Sequence, residues 1–191
     1  MSGRSAHASR FIRAATTRRV LRAMENPYFT ILAHPTGRVI GTRAACELDM
    51  LRVLRQAREN GCFLELNAHP DRLDLLDVHC QLARDEGVLV FASGGATHNL
   101  RELSYHRGDP VPQPWVAEFN EWLADAVMAG RREELIGYRR KAPHAVRNHP
   151  TDEHLIPLYV ALGAGGPAGV PKRLHTSISS GVISMDAYRF D

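Results

Sequence analysis

The chain carries ten histidines, and their placement is the first feature that could do chemistry. Imidazole titrates near neutrality, so it can move protons or give a lone pair to a metal. His34 follows the stretch YFTILA, Asn67 and His69 follow CFLEL, and His98 follows GVLVFASGGAT. Each lies just past a run that reads as a buried strand. Ligands of open parallel sheets sit beyond the C-terminal strand ends, so this rim is a candidate metal or acid–base cluster. A second series, His144, His149 and His154, recurs every five residues. That spacing is not one helix face, so any convergence must come from the loop. Thr151 reads as a helix N-cap with Asp152 and Glu153 in the first turn. His154 then sits where the positive helix end disfavours a protonated ring, which suits a neutral metal ligand. Spacing alone favours a plainer role, a histidine packed beside a helix start.

The elements that must position these residues alternate through the first half. Thr17 to Glu25 is helical and stops before Asn26-Pro27, because proline disfavours helix in the residue before it. Tyr28 to Ala33 reads as a strand, and His34-Pro35-Thr36-Gly37 as a turn. Leu48 to Glu59 is an amphipathic helix capped by Asn60-Gly61. Cys62 to Leu66 is a second strand, Asp77 to Glu86 a second helix ended by Gly87, and Val88 to Ala92 a third strand. Strand, helix, strand, helix, strand implies parallel strands with right-handed crossovers. The pattern then changes. Trp115 to Met128 is a strong helix holding both tryptophans, and Arg131 to Arg140 is another. Thr151 to Leu162 is a largely buried helix that Pro157 should kink. Gly163 to Gly169 is a glycine-rich loop, and His175 to Phe190 gives one or two strands.

The totals bound the possibilities. With 191 residues and 44% hydrophobic content, the chain can form one domain or two small ones with a real core. Net charge is +3 and the pI about 9.0, with arginines spread rather than clustered, so no nucleic-acid partner is expected. Cys46, Cys62 and Cys80 lack metal-finger or CxxC spacing and read as reduced thiols of a cytoplasmic protein. No apolar run approaches the length of a membrane span. The Arg-rich, acid-free start resembles a transit peptide poorly and reads as a frayed N-terminus.

The segments LRAMENPYFTILAHPTGR and LDMLRVLRQARENGCFLELNAHPDRLDLLDVHCQLARDEGV closely resemble the PHP phosphoesterase domain of bacterial family X DNA polymerases. The likeness runs from about Arg18 to Val90. It implies a distorted α/β barrel holding divalent metals, with His34 as a metal ligand. The family's early HxH pair has no counterpart here. Its final Asp-Ala-His, expected just after the third strand, is replaced by Gly95-Ala96-Thr97-His98. A multi-metal site needs several carboxylates and imidazoles, and one remaining histidine does not hold it.

The segments ASGGATHNLREL, WVAEFNEWLADAV, YRRKAPHAVRNHPTDEHLIPLYVALGA and MDAYRF resemble the C-terminal part of DODA-type (4,5-DOPA) extradiol dioxygenases, the class III ring-cleaving group. This likeness covers about Ala92 to Asp191. It implies one Fe(II) or Zn(II) ion, a catechol-type substrate and O2. Carried over by motif, His98 matches the acid–base histidine and His154 the C-terminal metal ligand. The family's other two metal-binding histidines lie in a half this chain lacks. An open site of this kind needs about three protein ligands with positions left for substrate and O2.

Both resemblances meet at GVLVFASGG. The expected architecture is therefore an α/β hybrid: a parallel or mixed sheet flanked by helices, part PHP-barrel segment and part extradiol-dioxygenase segment. The expected divisions are a frayed or disordered 1–17, a PHP-like βαβ segment 18–91 and a dioxygenase segment 92–191. The expected function is extradiol ring cleavage of a small aromatic diol with O2, through an incomplete site. Its residues are His98 as catalyst with His154 and His34 as metal ligands; substrate-binding residues are not legible. The expected cofactor is a single Fe(II) or Zn(II) ion, with a metal-free chain as the alternative. Partners lost from each half leave open apolar edges that favour dimerisation or aggregation. The competing functions are a PHP-type metal-dependent phosphoesterase and a non-catalytic metal-binding or interaction protein.

Overall fold

The computed structural model describes residues 3–67, 69–166 and 168–190, with side chains from Phe11 onward. Met1, Ser2, Ala68, Pro167 and Asp191 lie outside the described residues. The chain divides into two compact units, Met1–Ala92 and Ser93–Asp191.

In the first unit, helix α1 (Gly3–Met24) begins far upstream of Thr17, where the sequence starts it, and ends at the expected place. Strand β1 (Ile31–Leu32) is followed by α2 (Met50–Asn60), β2 (Phe63–Asn67), α3 (Asp77–Asp85) and β3 (Val90–Ser93). The sheet order is β1-β2-β3, and β1 pairs parallel with β2, Ile31 opposite Phe63. The fold class expected from the alternation, a parallel sheet flanked by helices, is the one observed. Helix α2 ends as its Asn-Gly signal requires. Gly61 turns left-handed (φ 67°), and its N–H closes onto the Ala57 and Arg58 carbonyls. The core joins Met24, Val53, Leu54 and Ala57 of the helices to Leu64, Leu66 and Val88 of the sheet. Alternate residues of and beside β3 leave that core: Leu89 is 62% and Phe91 45% exposed.

The second unit is mainly helical. It contains α4 (Leu100–Tyr105), α5 (Pro114–Met128), α6 (Arg132–Ile136), α7 (Tyr138–Lys141), α8 (Ala145–Asn148) and α9 (Ile156–Ala164). Short strands follow: β4 (Pro171–His175), β5 (Ile178–Ser179), β6 (Ile183–Ser184) and β7 (Ala187–Phe190). Strand β4 pairs antiparallel with β7, and β5 with β6. Where one or two strands are expected over His175–Phe190 there are three short ones, β5 to β7, and β4 runs into the start of that range. Helix α5 supplies Phe119, Leu123, Ala126 and Val127 to a core shared with Leu135, Tyr138 and Leu155. Asp186, whose side chain is fully buried, pins the β4–β7 hairpin: Arg173 lies 2.6 Å from its carboxylate and the Tyr188 hydroxyl donates to it at 2.8 Å.

Two helix expectations are corrected here. The Arg131–Arg140 helix breaks at Gly137 into α6 and α7. The helix expected from Thr151 begins only at Ile156. Thr151 does not cap it, because its hydroxyl donates to Glu153 at 2.7 Å. Asp152 is taken by the Tyr138 hydroxyl and the Arg139 guanidinium. Pro157 falls in the first turn, where a missing N–H costs nothing, so no kink is needed. His154 therefore lies in the turn before α9, and the helix-dipole argument for its neutrality does not apply.

Candidate active site: a stacked imidazole pair

In the second unit the loop after β3 carries His98 toward the segment that carries His154. Four hydrogen bonds join loop and segment. The Gly95 N–H donates to the His154 carbonyl at 2.8 Å, and the His98 N–H to the Asn148 carbonyl at 3.0 Å. The Asn99 amide donates to the Arg147 carbonyl at 2.6 Å, and the His149 ring nitrogen Nε2 meets the Ala96 carbonyl at 2.8 Å. From the other side, the fully buried Thr97 hydroxyl donates to the Val182 carbonyl and accepts the Ser184 N–H. Asn99 then caps α4, its side-chain oxygen accepting from the Arg101 and Glu102 N–H groups. Asn is a preferred residue for that task.

The result is a stack. The rings of His98 and His154 lie 3.4 Å apart centre to centre with 23° between their planes. The His98 pKa is held below the usual imidazole value, first by burial and then by the neighbouring His154 ring. Burial disfavours the charged form, so the His98 ring is biased toward its neutral state. The His154 Nε2 atom lies 3.7 Å from the Glu153 carboxylate.

The loop can approach this closely only because residue 94 is glycine. A methyl group there would overlap the His154 carbonyl oxygen and lie 2.9 Å from Pro157 Cγ. Backbone atoms cannot swing aside as the tip of a side chain can. Gly94→Ala is expected to lower the stability of this unit by about 2 kcal/mol, in the range of overpacking changes, and to unstack the rings. Urea unfolding checks the first effect and the cross-ring NOE of His98 and His154 the second.

Of the recurrent trio, only His154 joins His98 in a ring stack. His144 adopts φ 52° and its Nε2 lies 2.9 Å from Glu118 at the surface. His149 is fully buried against Phe119 and Tyr138. Burial drives its pKa down to about 4.

In the first unit His34 has a different partner. It adopts φ 47°, and Glu65 accepts its backbone N–H at 2.8 Å and lies 3.1 Å from its Nδ1. A carboxylate on Nδ1 orients a ring and leaves Nε2 to act outward. The turn that His34 opens is fixed by Asp74, which accepts the Thr36 and Gly37 N–H groups at 3.0 and 2.9 Å. His69 accepts the Asp71 N–H on its own Nδ1 at 3.3 Å.

These donors do not make a metal centre. Among the described residues no group of three or more His, Cys, Asp or Glu side chains is placed to hold an ion. The stack itself limits the donor count. Ligand lone pairs lie in the ring planes, and two imidazoles sharing an ion at about 2.1 Å keep their centres about 4.5 Å or more apart. At 3.4 Å, His98 and His154 can give one ion a single nitrogen between them. That division suits one ligand and one proton-transfer group, and it leaves the ligand set short.

Strand-end placement flagged His34, His69 and His98, and the family motif added His154. Both missed Glu65, although a lone charge inside the apolar run CFLEL was a visible signal. Both also missed His149 as a structural partner and Gly94 as a contact glycine.

Comparison with known proteins agrees with the second unit. Residues 75–190 match the family described as the catalytic LigB subunit of aromatic ring-opening dioxygenase. The "4,5-DOPA dioxygenase extradiol" of Portulaca grandiflora is 40% identical over 108 residues, covering 56% of this chain and 39% of the relative. The protein of the same name from Beta vulgaris is 37% identical over 131 residues, 68% of this chain and 48% of the relative. The chain thus spans half or less of the length of these curated relatives. The "DNA polymerase/3'-5' exonuclease PolX" of Bacillus subtilis (strain 168) is 42% identical over 86 residues, 45% of this chain but 15% of that protein. This second likeness is local and does not by itself define a PHP domain. With more than half its length matched and its imidazole pair inside the matched region, the chain belongs to the LigB family of aromatic ring-opening dioxygenases.

Proposed function

We propose that this chain carries the proton-transfer end of an extradiol ring-opening site for a catechol-type diol and O2. The observation that supports this is the His98–His154 stack inside the family-matched region. His98, neutral and half-buried, accepts a proton from the diol; His154 is the imidazole left for the ion. Extradiol dioxygenases of this family use a non-haem metal, generally Fe(II). The described residues supply too few donors for that ion, so activity far below that of a complete enzyme is expected. The test is to incubate the full chain with DOPA in air, with and without added Fe(II), and follow the yellow ring-opened product. Slow, iron-dependent product supports the reading. No product at any protein concentration leaves family membership alone.

A second reading draws on the Glu65-oriented His34 and the likeness to PolX: a metal-dependent phosphoesterase remnant in residues 18–91. It calls for nitrophenol release from nitrophenyl phosphate with Mn(II), lost in His34→Ala. No release would end it. No described helix is long and apolar enough to cross a membrane, so neither assay calls for lipid.

A further inference from the structure

We propose that His149 is a positioning residue: its Nε2–H, donated to the Ala96 carbonyl, holds the loop that keeps the His98 ring on the His154 ring. The acceptor is a carbonyl, which has no proton to give, so at 2.8 Å the ring nitrogen must be the donor. This fixes the tautomer, with the proton on Nε2 and a lone pair on Nδ1. The Nδ1 atom is buried and meets no donor. The ring therefore makes one directed bond, and that bond falls two residues before His98.

The donor is held rigidly from every side. The His149 N–H closes α8 onto the Ala145 carbonyl at 2.8 Å, and the His149 carbonyl accepts from Arg139 at 3.1 Å. Its ring packs 5.5 Å from the Phe119 ring and edge-on 6.1 Å from that of Tyr138, both core residues. The loop it holds has no regular structure of its own between Ser93 and Leu100. Beside the Ala96 bond, the loop backbone reaches the same segment at Gly95 and His98, through backbone N–H groups that do not depend on the side chain. The His149 side chain reaches back to the loop backbone and bridges 53 positions of sequence. A buried donor with a single acceptor constrains that acceptor strongly, because separation would leave both groups unpaired in an apolar setting.

The role matters for catalysis only if His98 and His154 work as proposed above, but the geometry is testable without any activity. NMR of the full-length wild-type protein should show the His149 proton on Nε2 and a cross-ring NOE between His98 and His154. Finding the proton on Nδ1 would overturn the proposal with no variant needed. Two variants then separate the bond from the shape. His149→Gln retains a terminal N–H donor at the same reach, while His149→Phe keeps a planar ring without one. The NOE is expected to survive in His149→Gln and to be lost in His149→Phe. Survival in both, or loss in both, overturns the proposal, since either result would make the ring's volume, not its donor, the determinant. Should His149→Phe fail to fold, the wild-type tautomer and the Gln variant still decide. Absence of ring-opening activity in the wild type would refute the proposed function and leave these spectra as they are.

Discussion

His98→Gln is expected to slow the proposed iron-dependent ring opening, assayed with DOPA, by a factor of about 10² to 10⁴, the usual worth of a positioned general base. Gln keeps a polar group of similar size but cannot exchange a proton near neutral pH. The bonds that shape the loop at this position use the backbone N–H of His98, not its ring. The fold should therefore persist, and the loss should appear in kcat more than in KM. Because burial and the His154 ring lower the His98 pKa, the wild-type rate should stay on its plateau below the pH where a free imidazole protonates. A rate unchanged by the substitution would remove His98 from the chemistry. A loss confined to KM would make it a binding group.

Acidification should destabilise the second unit by about 3 kcal/mol between pH 6.5 and 4, the largest stability effect expected of any single group here. His149 has its pKa pushed from the ordinary 6.5 to about 4, chiefly by burial. The unfolded chain binds a proton at this ring below pH 6.5, and the folded chain does so only near pH 4. The stabilisation is full above 6.5 and is lost as pH falls through that window. The depressed pKa of His98 acts in the same direction. Asp152, whose pKa is lowered first by the Tyr138 hydroxyl, adds its loss at more acidic pH. Trp115 and Trp122 are the only tryptophans, and both lie in this unit. Urea unfolding followed by their fluorescence at a series of pH values therefore reads the effect directly. His149→Gln, which cannot titrate, should flatten most of the slope. An equal slope in wild type and variant would assign the pH dependence elsewhere.

How much of this could be read beforehand depended on whether a feature is set locally. The three parallel strands, the left-handed Gly61 stop of α2 and the strand leading into His98 follow from patterns within about ten residues. The start of α9 does not. Thr151-Asp152-Glu153 has the composition of a helix N-terminus, yet Asp152 is claimed by Tyr138 and Arg139, and Thr151 by Glu153. Tyr138 and Arg139 lie in another helix, and only the folded chain brings them to Asp152, whereas Glu153 is a local competitor. The break at Gly137 is similar: the periodic pattern runs through it, and the glycine decides. Family motif supplied His98 and His154, and the structure adds that the two rings touch. The role of His149 was hidden for a plain reason. Its five-residue spacing from His144 and His154 says nothing about Ala96, which lies far back in the chain.

The four bonds that stitch the His98 loop to the His154 segment all begin and end between Gly95 and His154. With Gly94 before them and the Val182 and Ser184 contacts to Thr97 after them, the determinants of the ring pair lie in one continuous stretch from Gly94 to Ser184. Such a stretch behaves as a portable cassette. Recombination that exchanges what lies upstream of it would carry the paired rings along intact, and catalytic competence would then hinge on whether the new neighbour brings ligands of its own.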